Sequence, residues 1–471
     1  MMYRFLLLFF WPLLLLPSGS LAWDFPTFQP SPLAQPATKS IESLSLDSSV
    51  IIRANPNFQT SQFNRWLYGE NYRAEWDALV TLPVFNIGME HGGLRVVQRG
   101  GGGQTLSLRL EADDKHQYVL RSVRKFPERN IPDNMCSPFV EEVVQNQTSA
   151  SHPFGALTVP DLADAAGVCH TNPQIMYVPD DPQLGEHRST HGRSLALYEE
   201  RPDEDWSHLK SFGYAKEIYG TEKMLEKLQE DQDNEVDQQA FLRARLLDLL
   251  IGDWDRHEDQ WRWASFEKDK GKRFVPIPRD RDQVFYNSEG LLPTVISWEF
   301  ILPMFQGFKE KVRNVNSLFM NAKDIDRRLL NGLKRDDWIA AAQRMQACLT
   351  DAVITQAIHQ MPVSVVRLSG EEIIRKLRVR RDNLVHYAET YYSFLARTVV
   401  VIGTDKKELF QVERLADQRT RVTVFKLSKK KERVEQIIFQ RTFLSDETEE
   451  IHFFGLGDDD DFRVVSDVSR G

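Results

Sequence analysis

Asp253, Asp255, Arg256, His257, Glu258, Asp259 and Gln260 follow Gly252 almost without interruption. A second polar loop, Arg279-Asp280-Arg281-Asp282-Gln283, comes shortly after, beyond two short apolar segments. Carboxylates set at the ends of apolar elements suit a hard divalent cation, which takes oxygen ligands. In-line phosphoryl transfer needs one further carboxylate, to orient the attacking hydroxyl. Taken singly, each loop reads equally well as a solvated turn whose surface ion pairs are worth little. Together, flanked by apolar strands, they read as a cation and phosphoryl site.

The elements that would hold these loops are legible around them. Phe241, Leu242, Ala244, Leu246, Leu247, Leu249 and Leu250 predict a helix apolar on nearly every side, stopped by Gly252. Residues 261–263 and 274–277 predict paired strands with a polar turn at 268–272. Upstream, residues 94–99 and 105–111 predict a hairpin whose tip is Gly100, Gly101, Gly102 and Gly103. A tip without side chains lets backbone N–H groups approach phosphates. It lacks the Gly-Lys-Ser/Thr of a P-loop and is followed by a strand, so alone it is equally a plain hairpin turn. Residues 117–123, 174–178 and 194–202 predict three more strands, and 138–151 a helix carrying Glu141 and Glu142. Trp66, Tyr68, Tyr72 and Trp76 read as core aromatics, and the charged stretch 203–237 as solvated and helical in part.

Residues 291–392 predict a mainly helical region. Its basic run at 375–381 is a solvated helix face or, on the sharper reading, a docking surface for acidic partners or anionic lipid head groups. From Val399 the pattern changes to strands, and the acidic cluster at 458–461 lacks the spacing of a calcium loop.

The 471 residues allow two or three domains. A net charge of -9 gives no footprint for nucleic acid. Cys136, Cys169 and Cys348 form no close-spaced metal motif and leave an odd thiol in any pairing. Residues 1–22 have one positive charge, an apolar run and small residues at Ser20 and Ala22, as in a cleavable secretory signal cut after Ala22. No later segment is long enough to span a membrane. Residues 23–50, rich in Pro, Ser and Gln, read as a leader.

Gly252-Asp253-Trp254-Asp255-Arg256-His257, followed by a strand and an Asp-containing loop closing at Phe285, resembles the catalytic and metal loops of atypical kinases. The likeness is to the secreted Golgi casein-kinase family, with its GNxDRH motif, to HipA-like kinases and to phosphatidylinositol kinases. The longer pattern also looks like uncharacterised kinase-like modules of Gram-negative envelope proteins. The resemblance implies that Asp255 faces the acceptor hydroxyl while His257 braces the loop. It makes Asp280 the metal aspartate, with Asp282 as its rival, and puts Gln260 near the second metal position. Gly100 to Gly103 would cover nucleotide phosphates, and Arg121, with Lys125 just beyond, would neutralise them. Arg121 stands where such kinases have Lys, yet an Arg still satisfies phosphate electrostatics. Glu141 or Glu142 would pair with that cation, and residues 198–202, with Glu199, would line the base pocket. Asp253 stands where the casein-kinase pattern has Asn.

The expected fold is α+β: a bilobal protein-kinase-like domain with a β-rich N-lobe (51–202) and a helical C-lobe (203–397), then a small antiparallel β module (398–471). The expected activity is transfer of a phosphoryl group from ATP or another nucleotide, with Mg²⁺ or Mn²⁺, to a hydroxyl on protein, glycan or lipid. The expected location is secreted or periplasmic, with partners in the cell envelope. A periplasm holds little ATP, so an unusual donor stays open, as does a catalytically inactive pseudokinase-like binding or scaffold role. No G-x-S-x-G or H-E-x-x-H motif supports a serine or zinc hydrolase, while a two-carboxylate glycosidase stays open.

Overall fold

The computed structural model describes residues 49–100, 105–126, 146–297, 303–428 and 433–466. Its architecture is mixed α/β, with the described strands in five sheets. Strands β1 (Ser49–Arg53) and β2 (Leu79–Pro83) pair antiparallel. The next sheet is antiparallel throughout, in the order β3-β4-β5-β7-β6. It is built from β3 (Leu94–Gly100), β4 (Ser107–Ala112), β5 (Gln117–Ser122), β6 (Gln174–Val178) and β7 (Ser194–Glu200). A four-stranded sheet follows, ordered β8-β10-β11-β9, from β8 (Glu217–Gly220), β9 (Glu235–Val236), β10 (Trp261–Glu267) and β11 (Lys272–Pro278).

Helix α1 (Gln238–Ile251) sits at the centre, and the sequence defines both of its ends. The Asp237 side chain accepts from the Ala240 amide at 2.8 Å, satisfying a first-turn donor. Gly252 takes the left-handed φ of 71° that terminates the helix. Between them the apolar side chains are buried all round, so packing rather than one amphipathic face holds α1. Phe241 meets the rings of Trp261 and Trp263 at 4.9 and 5.6 Å, seating β10 on the helix. Alternation then puts Ala264 and Phe266 on the opposite face of β10, in a second core shared with β4, β5, β6 and β7. Both acidic loops therefore emerge where the two sheets meet.

The C-terminal half carries helices α2 (Lys323–Leu329), α3 (Arg335–Cys348), α4 (Asp351–Ile358), α5 (Glu371–Asp382) and α6 (Leu384–Ala396). The remaining strands are β12 (Thr398–Ile402), β13 (Glu408–Leu415), β14 (Arg419–Leu427), β15 (Arg433–Leu444), β16 (Glu450–Phe454) and β17 (Asp461–Ser466). The expected purely antiparallel pairing needs correction. The meander β13-β14-β15 is antiparallel, but β12 pairs with β16, and β13 with β17, in parallel. The chain crosses over between those partners instead of turning back in a hairpin, and a crossover makes the pairing parallel.

Trp66 also departs from its expected core position. It is 59% exposed and lies against Phe63, whereas Tyr68, Tyr72 and Trp76 are buried. On the short helix Gln62–Tyr68, positions 66 and 68 face nearly opposite sides. The stretch 203–237, expected to be solvated, needs correction: it contains β8, β9 and the helix Thr221–Glu230, and its Trp206, Phe212, Ala215, Ile218 and Met224 are buried because these apolar side chains pack into the cores. The predicted helix at 138–151, the leader and the signal sequence lie largely or wholly outside the described residues.

Candidate active site

The first loop is anchored by charge. Arg245, Asp248, Asp253, Arg256, Arg281 and Asp326 are all buried beneath it. Arg245 donates to Asp326 at 2.9–3.1 Å and also contacts Asp248, and Tyr391 on α6 gives its hydroxyl to Asp326 at 2.6 Å. Arg281, from the second loop, reaches back to Asp248 and donates to Asp253 at 2.8 Å. Burial pushes the Asp248 carboxyl up, but the guanidiniums of Arg281, Arg256 and Arg245 more than offset it, and the net direction is down. Asp253, where the resembling motif has Asn, is thus the buried counter-charge of Arg281.

Arg256 fixes the loop from beneath. Its guanidinium lies over the Trp261 ring at 4.8 Å and donates to the carbonyls of Arg279 at 2.7 Å and Gln260 at 2.9 Å. One side chain thereby ties the two loops together. Asp255, the neighbour of Arg256, points elsewhere: its half-buried carboxylate has no hydrogen bond or ion pair among the described residues. Burial, and next the negative charge of Asp282, push its pKa up to about 6; His257 partly offsets this, while Asp253 and Asp280 add to it. A carboxylate poised in that range suits proton abstraction near neutral pH.

In the second loop, residues alternate between two sides. Arg281 turns inward to Asp248 and Asp253, while Asp280 and Asp282 turn toward the five-stranded sheet. Asp280 adopts a left-handed φ of 60°, which Asp tolerates better than most residues. It pairs with Arg121 of β5, and Lys125 meets Asp282 at 3.0 Å. Glu199 of β7 lies 3.9 Å from Arg121 and accepts from the Thr171 hydroxyl at 2.7 Å. Burial raises the Glu199 pKa against the pull of Arg121.

Of the residues singled out by sequence, Asp255, Asp280, Asp282, Arg121 and Glu199 thus come into one electrostatic cluster. The Gln260 amide nitrogen lies 3.2 Å from His257 Nε2, so these two side chains brace each other beside it. Gly100 ends β3 opposite Ser107, whereas Gly101, Gly102, Gly103, Glu141 and Glu142 lie outside the described residues. Sequence reasoning missed Asp248 and Arg245, and it gave Arg256 and Arg281 no role of their own. A lone Asp in the apolar run Leu246-Leu247-Asp248-Leu249-Leu250 was the available signal.

Among the described residues, no group of three or more His, Cys, Asp or Glu side chains is arranged to hold a metal ion. Asp255 nevertheless feels the charges of Asp282, Asp253 and Asp280, offset only in part by His257, and a divalent ion would relieve that repulsion. The donor chemistry fits a hard cation, although the side chains do not converge on one.

No protein-family model and no curated protein matches the chain. Among solved structures it is similar to a kinase. That protein is the proinflammatory kinase CtkA of Helicobacter pylori, at 12% identity and a TM-score of 0.32, over 60% of this chain and 93% of that one. A likeness of that strength carries no argument about this chain.

Proposed function

We propose that the chain is an atypical phosphotransferase with a bilobal kinase-like arrangement, the five-stranded sheet forming one lobe and α1 with the later helices the other. The observation that carries this reading is the partnerless carboxylate of Asp255, held on a braced loop and facing Asp280 and Asp282. Asp255 takes the proton of the acceptor hydroxyl. Arg121 and Lys125 neutralise the phosphates of the donor, and Asp280 and Asp282 are the residues that would hold Mg²⁺ or Mn²⁺. When bound, that ion would supply charge neutralisation at the transferred phosphoryl group. Arg256 holds Asp255 in place through the backbone it binds. The acceptor is a hydroxyl on protein, glycan or lipid. Secretion or periplasmic residence is supported by the sequence of residues 1–22.

Thermal shift of the purified chain with ATP, in the presence and absence of Mg²⁺ or Mn²⁺, tests the reading. Ligand at a hundred times Kd adds about 2.7 kcal/mol of stability. A metal-dependent shift that vanishes in Asp280→Ala supports it.

A second reading is a pseudokinase-like binding or scaffold protein of the envelope. It is favoured by one observation: Asp280 and Asp282 are each already matched by a side-chain cation. A nucleotide shift indifferent to metal, with no transfer to any acceptor, would support it instead.

A further inference from the structure

Beside the acidic loops, Arg109, Arg201, Arg262 and Arg279 come within electrostatic reach of one another. On the face of the five-stranded sheet that carries Arg121, Arg109 lies two positions along from Ser107, the register partner of Arg121. Arg201, just past β7, donates to Gln117 at 2.9 Å and pairs with Asp203. From the four-stranded sheet comes Arg262 of β10, within electrostatic reach of Arg201 and Arg109. Arg279, just past β11, gives Nε and Nη2 to the Asp259 carbonyl at 3.2 and 3.0 Å.

Arg109, Arg262 and Arg279 have no ion pair among the described residues, and the Nε of Arg262 is buried without an acceptor. Burial, then the charges of Arg279 and Arg201, with Arg109 further down, hold Arg262 at about 10. The acids within reach are Asp203, Glu199 and Asp280, and Asp203 and Asp280 are already engaged by Arg201 and Arg121. Base pockets are mostly apolar with a few placed polar groups. A guanidinium matches phosphate geometry through two parallel N–H···O bonds.

We propose that this arginine cluster binds a linear polyphosphate anion, with Arg109, Arg262 and Arg279 holding the phosphates beyond the one presented to Asp255. Its role as donor rests on the phosphotransferase reading; its binding does not. As donor, the terminal phosphoanhydride P–O bond breaks while the acceptor oxygen bonds to that phosphorus. The hydroxyl proton goes to Asp255, and polyphosphate shortened by one unit departs. Such a donor needs no ATP outside the cytoplasm.

Calorimetric titration of the full chain with tripolyphosphate, ATP and adenosine tests the site. The expected result is tripolyphosphate binding at least as tight as ATP, no adenosine binding, and at least tenfold weaker tripolyphosphate binding in Arg262→Gln. Arg109→Gln, half-buried and without an ion pair, should show the same loss and keeps the test sound if Arg262→Gln does not fold. Adenosine binding as tight as ATP, or tripolyphosphate binding unchanged in both variants, would overturn the proposal. Tripolyphosphate bound as expected, with transfer from ATP alone, would leave the site standing and remove its donor role; transfer from neither would sink the phosphotransferase reading.

Discussion

Arg121 on β5 pairs with Asp280 in the loop after β11, joining two sheets across 159 positions of sequence. Burial alone would raise Asp280, but Arg121 outweighs it, with Arg279 and Lys125 assisting, so its pKa falls below the usual range. A depressed carboxylate stabilises the fold above its unfolded pKa, and that contribution is lost as pH falls through the folded value.

Arg121→Met should therefore destabilise the chain by about 3 kcal/mol at pH 7, because a largely buried carboxylate loses its partner. Below the range in which Asp280 titrates, the difference should shrink, since the protonated acid no longer needs a cation. Urea denaturation of both proteins at pH 7 and pH 3 checks this. Equal destabilisation at both pH values would show that lost packing, not charge, explains the effect.

Asp255 has the opposite sign. Its folded pKa of about 6 lies above the reference of 3.8, so its contribution is fully present below that reference and is lost as pH rises through about 6. Asp255→Asn should therefore raise stability at pH 8 by roughly 2 kcal/mol, and by little at pH 4. Phosphoryl transfer should fall by about 10²–10⁴ in the same variant, while donor binding changes little. In the unmodified protein, transfer should rise with pH through about 6 as the carboxylate ionises. A variant with full transfer rates would remove Asp255 from the chemistry.

Arg281→Met tests the anchor. Arg281 is the guanidinium shared by Asp248 and Asp253, both without solvent exposure. Removing it leaves two buried carboxylates short of charge, which should cost about 3–5 kcal/mol. A loss below about 1 kcal/mol in chemical denaturation would mean that Arg245 and Arg256 suffice to neutralise both.

The helix α1, the two acidic loops and the strands around them were legible because each follows from local pattern. Apolar density, a left-handed glycine and alternation in Trp261-Arg262-Trp263 do not depend on distant chain. The partners were not legible. Among the described residues Arg121 meets Asp280 and Glu199, brought in by sheet packing, while Glu141 and Glu142, its expected partners, lie outside them. Asp253 read as a departure from a motif because its partner, Arg281, is 28 positions away. The parallel pairing of β12 with β16 was hidden for the same reason, since strand pattern carries no direction.

The two ends of α1 separate stability from site geometry. Gly252 has a φ of +71°, and a Cβ there would come within 3.0 Å of the Phe308 ring. Gly252→Ala should cost about 1–2 kcal/mol, partly from the left-handed backbone and partly from that contact. The loop bearing Asp255 begins at this residue, and the Asp253 amide closes the helix on the Asp248 carbonyl at 2.9 Å. Asp237→Ala at the other end removes the cap on Ala240 and should cost about 1 kcal/mol without touching the loop. At similar stability, then, only Gly252→Ala should lower transfer activity, by tenfold or more, measured at a temperature where both variants remain folded. Equal losses in the two variants would mean that activity tracks global stability, and that the position of Asp255 is not set by the turn that launches it.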